Sequence, residues 1–305
     1  KSHAFYPILM GNPPLKNALQ YIPKEASDFA VMNGINLGEA YKLVIKTITE
    51  DIPNGKEILG QIEEMKAQGI DLENDVFGWL QGGFITVSQP GPTPYSAGNF
   101  AFILPVSNET KGQEVLAKVI AMVEPMTQGD QAMIKLSDAE VAGKPFKSVG
   151  APMLMAMSPI SSLTFGITDN MFMIVSSTEF AEKILDTGAG KSENVSKNER
   201  FVKEGLPPTG DVLSISFTDQ TGFGEQMGTL MGMAGLGAMS MKDNPVAEGA
   251  LTMVSKLGRV VKKMDFFQSS ASVSYREGNT LRSKTVNNYR PSPTPKKPAS
   301  ENKPE

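Results

Sequence analysis

Gly69-Ile-Asp-Leu-Glu-Asn-Asp-Val-Phe-Gly-Trp-Leu-Gln-Gly-Gly-Phe-Ile-Thr-Val87 holds the only tryptophan of the chain, a full set of helix-start signals and the entry to a strand. Gly69 stands where a preceding helix stops. Asp71 stands where an N-cap belongs, its carboxylate placed to accept from the exposed backbone N–H groups of the next turn. Glu73 and Asp75 fall in that first turn, where the helix dipole favours negative charge. Leu72, Val76, Trp79 and Leu80 share one face of a short helix. Gly82-Gly83 ends it, and Phe84-Ile-Thr-Val87 reads as a strand, so Trp79 is expected to plug helix against sheet. Asp71, Glu73 and Asp75 also invite a calcium reading. An EF-hand loop requires Gly at its sixth position and a carboxylate at its twelfth, and those positions are Val76 and Gly82. Capping is the better reading.

Outward from this stretch, the chain alternates strands and amphipathic helices. Residues 1–21 are punctuated by Pro and Gly and read as an extended arm. Phe29-Ala-Val-Met-Asn33 reads as a strand. Leu37, Tyr41, Val44 and Ile48 mark one helix; Ile58, Ile62 and Met65, after the Asn54-Gly55 turn, mark a second. Two strands follow at 83–88 and 99–106. Val115, Val119, Met122 and Val123 mark another helix, and Met133-Ile-Lys-Leu136 reads as a strand, with a turn at Ala142-Gly-Lys-Pro145 before another. Asp169-Asn170 signals a hairpin between Leu163–Ile167 and Met171–Val175. Helices are expected at about 177–187 and around 199–203.

At Leu206-Pro207 the pattern restarts. Asp211-Val-Leu-Ser-Ile-Ser-Phe217 matches the placement of Asp28-Phe-Ala-Val-Met32. Helical stretches at 222–241 and 246–264 follow, then strands at 269–276 and 280–287 joined through Gly278-Asn279. The expectation is an α+β protein of two tandem strand–helix–helix–strand–strand units. Its sheet is mostly antiparallel, with helices packed on one face. The first unit, with an additional hairpin and helices, runs over 22–205 and a shorter second one over 206–289. Residues 290–305, rich in Pro, Lys and Ser, are expected to be disordered.

Composition bounds the function. The chain has 305 residues, a net charge of −4 and no cysteine. Disulfides, thiolate metal sites and cysteine nucleophiles are thereby excluded, and the lack of cysteine suits an exported bacterial protein. The net charge offers no general attraction to nucleic acid. No apolar run reaches the roughly 18 residues that span a bilayer. The first residue is Lys1, so a leader, either a cleaved signal or an anchor, is expected to have preceded it.

Three groups of residues carry a further resemblance: Ile22-Pro23 before a strand; Gly69-Ile-Asp-Leu-Glu-Asn-Asp75 leading to Trp79-Leu80; and Asn198-Glu-Arg-Phe201 followed by Leu206-Pro207. Together they resemble an uncharacterised bacterial family, domain of unknown function 3352, over about residues 20–288. The Met/Gly-rich segment departs from the family pattern. The resemblance implies an exported or membrane-tethered protein and the architecture above. It supplies no catalytic residue.

Reactive constellations are sparse. His3 is the single histidine and lies in the arm, so neither a buried His-based triad nor a multi-His metal site can be built on it. Gly188-Ala-Gly-Lys-Ser192 lacks the first glycine of a phosphate loop, where Leu185 stands, and reads as a helix stop. Acidic residues alternate with lysines along helix faces, the pattern of a solvated surface; a carboxylate-dependent hydrolase stays open as a class. Met227, Met231, Met233, Met239 and Met241 crowd one Gly-rich segment, and Met153, Met155 and Met157 form a second cluster. Thioethers suit copper(I), but Met among Gly more often makes an adaptable apolar packing surface. Residues 251–305 carry a net charge of +7 against −11 for the rest. Lys256, Arg259 and Lys263 share a helix face there, and a solvated face is the first reading, contact with an anionic envelope surface the second.

The expected function is a non-enzymatic, extracytoplasmic, envelope-associated binding or scaffolding protein with no cofactor. Its expected partner is an unknown protein or envelope component, and the five methionines at 227–241 are its candidate contact surface. A carrier of a small apolar ligand or lipid is the alternative.

Overall fold

The computed structural model describes residues 8, 17–32, 36–67, 69, 71–77, 79–80, 82–91, 98–127, 134–150, 162–206, 211–222, 224–225, 227–229, 231–232, 245–263, 266–278 and 280–290. Contacts divide the chain into two units. One comprises residues 1–219 with 271–286, the other 220–270 with 287–305.

The first unit holds most of a ten-stranded sheet, all but residues 267–270 and 287–289 of its last two strands. Its strands are β1 (Asp28–Met32), β2 (Phe84–Gln89), β3 (Asn99–Pro105), β4 (Lys135–Val141), β5 (Lys144–Gly150), β6 (Leu163–Thr168), β7 (Met171–Val175), β8 (Asp211–Asp219), β9 (Phe267–Glu277) and β10 (Thr280–Tyr289). Their order across the sheet is β10-β9-β8-β1-β2-β3-β7-β6-β5-β4. Tight turns set the neighbours. Asp169 and Asn170 both take positive φ, the conformation that a two-residue hairpin needs, and Thr168 pairs with Met171. Ala142 and Gly143 do the same between β4 and β5. At the middle, β1 lies antiparallel between β2 and β8, with Phe29 opposite Val87 on one side and Phe217 on the other.

The helices are α1 (Leu37–Asp51), α2 (Gly55–Ala67), α3 (Glu109–Val123), α4 (Thr178–Gly188), α5 (Glu199–Lys203) and α6 (Pro245–Val261). Strand, two helices, strand, strand is the order from β1 to β3. From β8 to β10 the order is strand, helical residues between 224 and 232, α6, strand, strand. The α+β class is as the sequence implies. The stretch read as an extended arm carries a 3₁₀ turn at Ala18–Tyr21, and Ile8 within it is buried.

The helices divide between the two faces of the sheet. On β7, Met171, Met173 and Val175 belong to the main core with Phe29, Val31, Ile85, Val87 and Ile103. Successive strand residues point to opposite faces. Phe172 therefore belongs to the other face, in a second cluster with Trp79, Val106, Val115 and Ile167. α4 covers the first face through Phe180, Ala181 and Ile184. α3 covers the second through Val115, with Gly112 seated so close that an added Cβ would stand 2.9 Å from Ile167 Cδ1. A strand buried on both faces loses its alternating pattern, so Met-Phe-Met-Ile-Val does not announce two coverings.

Candidate functional site

The stretch that organises the sequence also organises the site. Gly69 ends α2 with φ of 90°, its N–H donating to Lys66 O. Asp71 then caps the next turn. Its Oδ1 accepts from the N–H groups of Glu73 at 3.0 Å and Asn74 at 3.2 Å. Asp75 reciprocates, its Oδ2 accepting from Asp71 N–H at 3.0 Å. The turn is not the α-helix that the periodicity suggests. Leu72–Val76 is a π-helix, closed by Phe77 N–H donating to Leu72 O. The wider turn separates Leu72 from Val76, Trp79 and Leu80. The last three join the cluster under α3, while Leu72 lines a cleft beside α1 and α2.

Trp79 does plug helix against sheet. It is buried, its Nε1–H donates to Asp75 O, and its ring lies against Gly112 of α3. Its own carbonyl accepts from the N–H and Oγ of Ser107 at 2.7 and 3.0 Å.

The acidic residues are committed to this local structure. Asp71 Oδ2 accepts from Asn74 Nδ2 at 3.0 Å and pairs with Lys66 Nζ at 3.1 Å. The Asn74 side chain, Lys66 and the Asn74 backbone N–H together lower the Asp71 carboxyl from 3.8 to about 2. Asp75 Oδ1 pairs with Lys111 Nζ of α3 at 2.8 Å, and that hydrogen bond holds its carboxyl below the ordinary value. Both are anions at neutral pH, so neither is poised as a general acid. Among the described residues no three His, Cys, Asp or Glu side chains form a group able to hold a metal ion.

A cleft of about 360 Å³ opens between α1, α2 and this π-turn. Half-buried Tyr41, Ile45, Leu59, Ile62 and Leu72 line it, together with the exposed charges of Lys42, Lys46, Glu63, Lys66 and Glu73 and half-buried Asp71. The two helices meet closely at one end. A Cβ on Gly55 would stand 2.0 Å from Ile48 O, so only glycine allows this approach. Tyr41 packs on Phe77 with ring centroids 5.0 Å apart. Burial, then the charges of Asp71 and Glu73, push its phenol above the ordinary value, so it remains a donor. A second cavity of about 280 Å³ lies under α3, lined by Leu116, Ile120, Phe146 and Phe165 among others.

The other motif residues are structural. Asn198 caps α5 and its Nδ2 donates to Lys24 O at 2.8 Å, while Val195 N–H donates to Ile22 O. Arg200 pairs with Asp219, and the Phe201 ring packs edge-on against Phe29 and Phe217. These contacts bring Ile22-Pro23 and Asn198–Phe201 together beside β1 and β8. At Gly188–Ser192 the N–H groups of Gly190 and Lys191 donate to Thr187 O and Asp186 O, closing the end of α4. Of the candidate contact surface, Met227 and Met231 are half-buried in helical residues of the second unit. Met233, Met239 and Met241 lie outside the described residues, as do His3 and Met153, Met155 and Met157. The cleft itself was missed. Its linings, Tyr41, Ile45, Leu59 and Ile62, appear in sequence as ordinary apolar faces.

A family model described as "Protein of unknown function (DUF3352)" matches residues 8–202. The chain belongs to the DUF3352 family. The match takes in the cleft, the π-turn and the Asn198–Phe201 motif, and ends before β8, short of the C-terminal reach that the motifs suggested. No curated protein matches this DUF3352 chain. A solved structure described as "Structure of crystal form III of TP0453" is similar at 6% identity and a TM-score of 0.36, over 92% of this chain and 82% of that one. So loose a likeness carries no inference about fold or function. No helix among the described residues of this DUF3352 protein is long and apolar enough to cross a membrane.

Proposed function

We propose that this DUF3352 protein is a non-enzymatic, extracytoplasmic binding protein of the bacterial envelope, and that it holds the apolar part of a small amphiphile between α1 and α2. The observation that carries this reading is the cleft's lining. Five apolar side chains stop halfway to burial around an open volume of about 360 Å³, with charged side chains about them. That volume falls in the range of ligand pockets, roughly 300–1,000 Å³. A ligand chain laid there would complete the burial, and the Tyr41 hydroxyl and the lysines would meet its polar end. The extracytoplasmic part of the proposal rests on the absence of cysteine and on the family resemblance.

The carboxylates favour binding over hydrolysis. Asp71, which lines the cleft, and Asp75 beside it are held as anions by caps and lysines, so neither has a proton to give a leaving group. Native mass spectrometry of freshly purified protein tests the proposal. A bound amphiphile is expected, lost in Leu59→Asp and retained in a variant of the cavity under α3, Leu116→Asp. An empty spectrum, or a ligand that survives Leu59→Asp, overturns it. Turnover in a glycan or peptide hydrolysis screen would restore the hydrolase class.

A further inference from the structure

The second unit carries a helix face that has no partner among the described residues and that the cleft does not explain. α6 packs on the helical residues around Gly228 through its small side: an added Cβ on Gly258 would stand 2.8 Å from Gly228 O and 3.0 Å from Met231 Cβ. Ser255 Oγ, on the same side, donates to Gly232 O at 3.5 Å. This face carries Gly258, the helix's one buried residue. The opposite face is apolar and open. Val246 is 81% exposed, Met253 64%, Leu257 43% and Val260 58%. At ~100° per residue these four fall within about 60° of arc, a single stripe some 21 Å long.

The charges on α6 are sorted against that stripe. Lys256 follows one flank, about 70° round from the middle of the stripe, with Arg259 beyond it, and Lys263 stands in the turn that follows the helix. Glu248 is the only acidic residue from Pro245 to Lys263, and it lies on the far side of the helix from the stripe. Residues 251–305 as a whole carry a net charge of +7. An apolar stripe flanked by lysines on a helix too short to span a bilayer has the makeup of a helix that lies in a lipid interface.

We propose that α6 docks flat on an anionic lipid surface, its Val246–Met253–Leu257–Val260 stripe entering the headgroup–acyl boundary and Lys256 and Lys263 meeting lipid phosphates. A second copy of the chain is the poorer occupant. Two antiparallel stripes packed face to face would bring the lysine flanks together, where like charges repel, and a parallel pair would give the lysines no carboxylate to meet, since Glu248 lies on the far side. The inference stands on α6 alone and does not depend on the α1–α2 cleft.

Co-sedimentation of the full chain with phosphatidylcholine vesicles, and with phosphatidylcholine–phosphatidylglycerol vesicles, tests it. Binding is expected only to the anionic vesicles and is expected to weaken as salt rises. Val246→Asp and Leu257→Asp are each expected to lower binding at least tenfold. Lys256→Glu with Lys263→Glu is expected to lower it about fivefold per lysine. Val246 is so exposed that its substitution leaves the fold intact, which far-UV circular dichroism and Trp79 emission check. Protein left in the supernatant with anionic vesicles overturns the proposal. So does vesicle binding unchanged by Val246→Asp. A dimer in solution that Val246→Asp dissociates, with vesicle binding unaltered, would assign the stripe to a second copy and overturn it equally.

Discussion

α4 and α1 are both amphipathic, and both begin with a side-chain cap, Ser177 accepting from Phe180 N–H and Asn36 from Glu39 N–H. Their fates differ. Of the 11 residues of α4, Phe180, Ala181, Ile184, Leu185 and Thr187 are buried. Of the 15 residues of α1, only Ile48 is. Local sequence explains why each is a helix but not this contrast, which follows from what stands opposite. α4 packs into the main core with Met173 and Val175; α1 faces α2 across a cleft. The teaching is that one apolar stripe can close a core and another can be left lining an open cleft, with an amphipathic pattern in both.

The sharpest way to break this comparison is to truncate each helix at its centre. Ile184→Ala is expected to lower global stability by about 2–5 kcal/mol in urea denaturation, the cost of a cavity in a closed core. Ile45→Ala is expected to cost under about 1 kcal/mol, since its surroundings already admit water. Equal costs would mean that α1 closes a core as well. Next comes Gly55→Ala, whose methyl group would collide with the Ile48 carbonyl. It is expected to cost about 1–3 kcal/mol and to raise hydrogen exchange within 37–67 while the sheet amides stay protected. Loss of the proposed amphiphile in the same variant would sharpen the assignment of the cleft.

Acid should separate the two regions with smaller effect. The folded-state carboxyl of Asp71 lies below its ordinary value, so its stabilisation is complete above pH ~4 and is lost as pH falls from 3.8 towards about 2. Asp75 shifts in the same direction. Emission from Trp79, the only tryptophan, is expected to change over that window before the β-sheet signal in circular dichroism does. Asp71→Asn, which cannot titrate, is expected to take Asp71's share out of the emission change, leaving that of Asp75, and to leave α4 untouched. The smallest expected effect is that of Tyr41→Phe, within about 0.5 kcal/mol of the parent. It should keep an amphiphile that Tyr41→Ala loses, because the ring walls the cleft.

Much of the candidate site was legible. Asp71 as a cap, Gly69 as a stop, Trp79 as a plug and Asp169-Asn170 as a hairpin each depend on chemistry within a few residues. The π-turn was not legible. Leu72, Val76, Trp79 and Leu80 fit an α-helix in sequence, and the wider turn that sends Leu72 elsewhere goes with contacts distant in the chain, Trp79 on Gly112 and Asp75 with Lys111. The division of helices between two faces was hidden for a similar reason: β7 is apolar at successive positions and so points to no single covering.

By itself, the sequence determined the elements, their caps and turns, the α+β class and the absence of thiol chemistry. These depend on short-range hydrogen bonds, backbone preferences and residue types. Only the tertiary structure decided which apolar stripes are closed and which are open. Phe29 between Val87 and Phe217, Trp79 on Gly112, and Gly55 against Ile48 join residues far apart in the chain or require close backbone approach. Burial belongs to the pair of surfaces that meet, and one helix's periodicity says only that it has a face to offer.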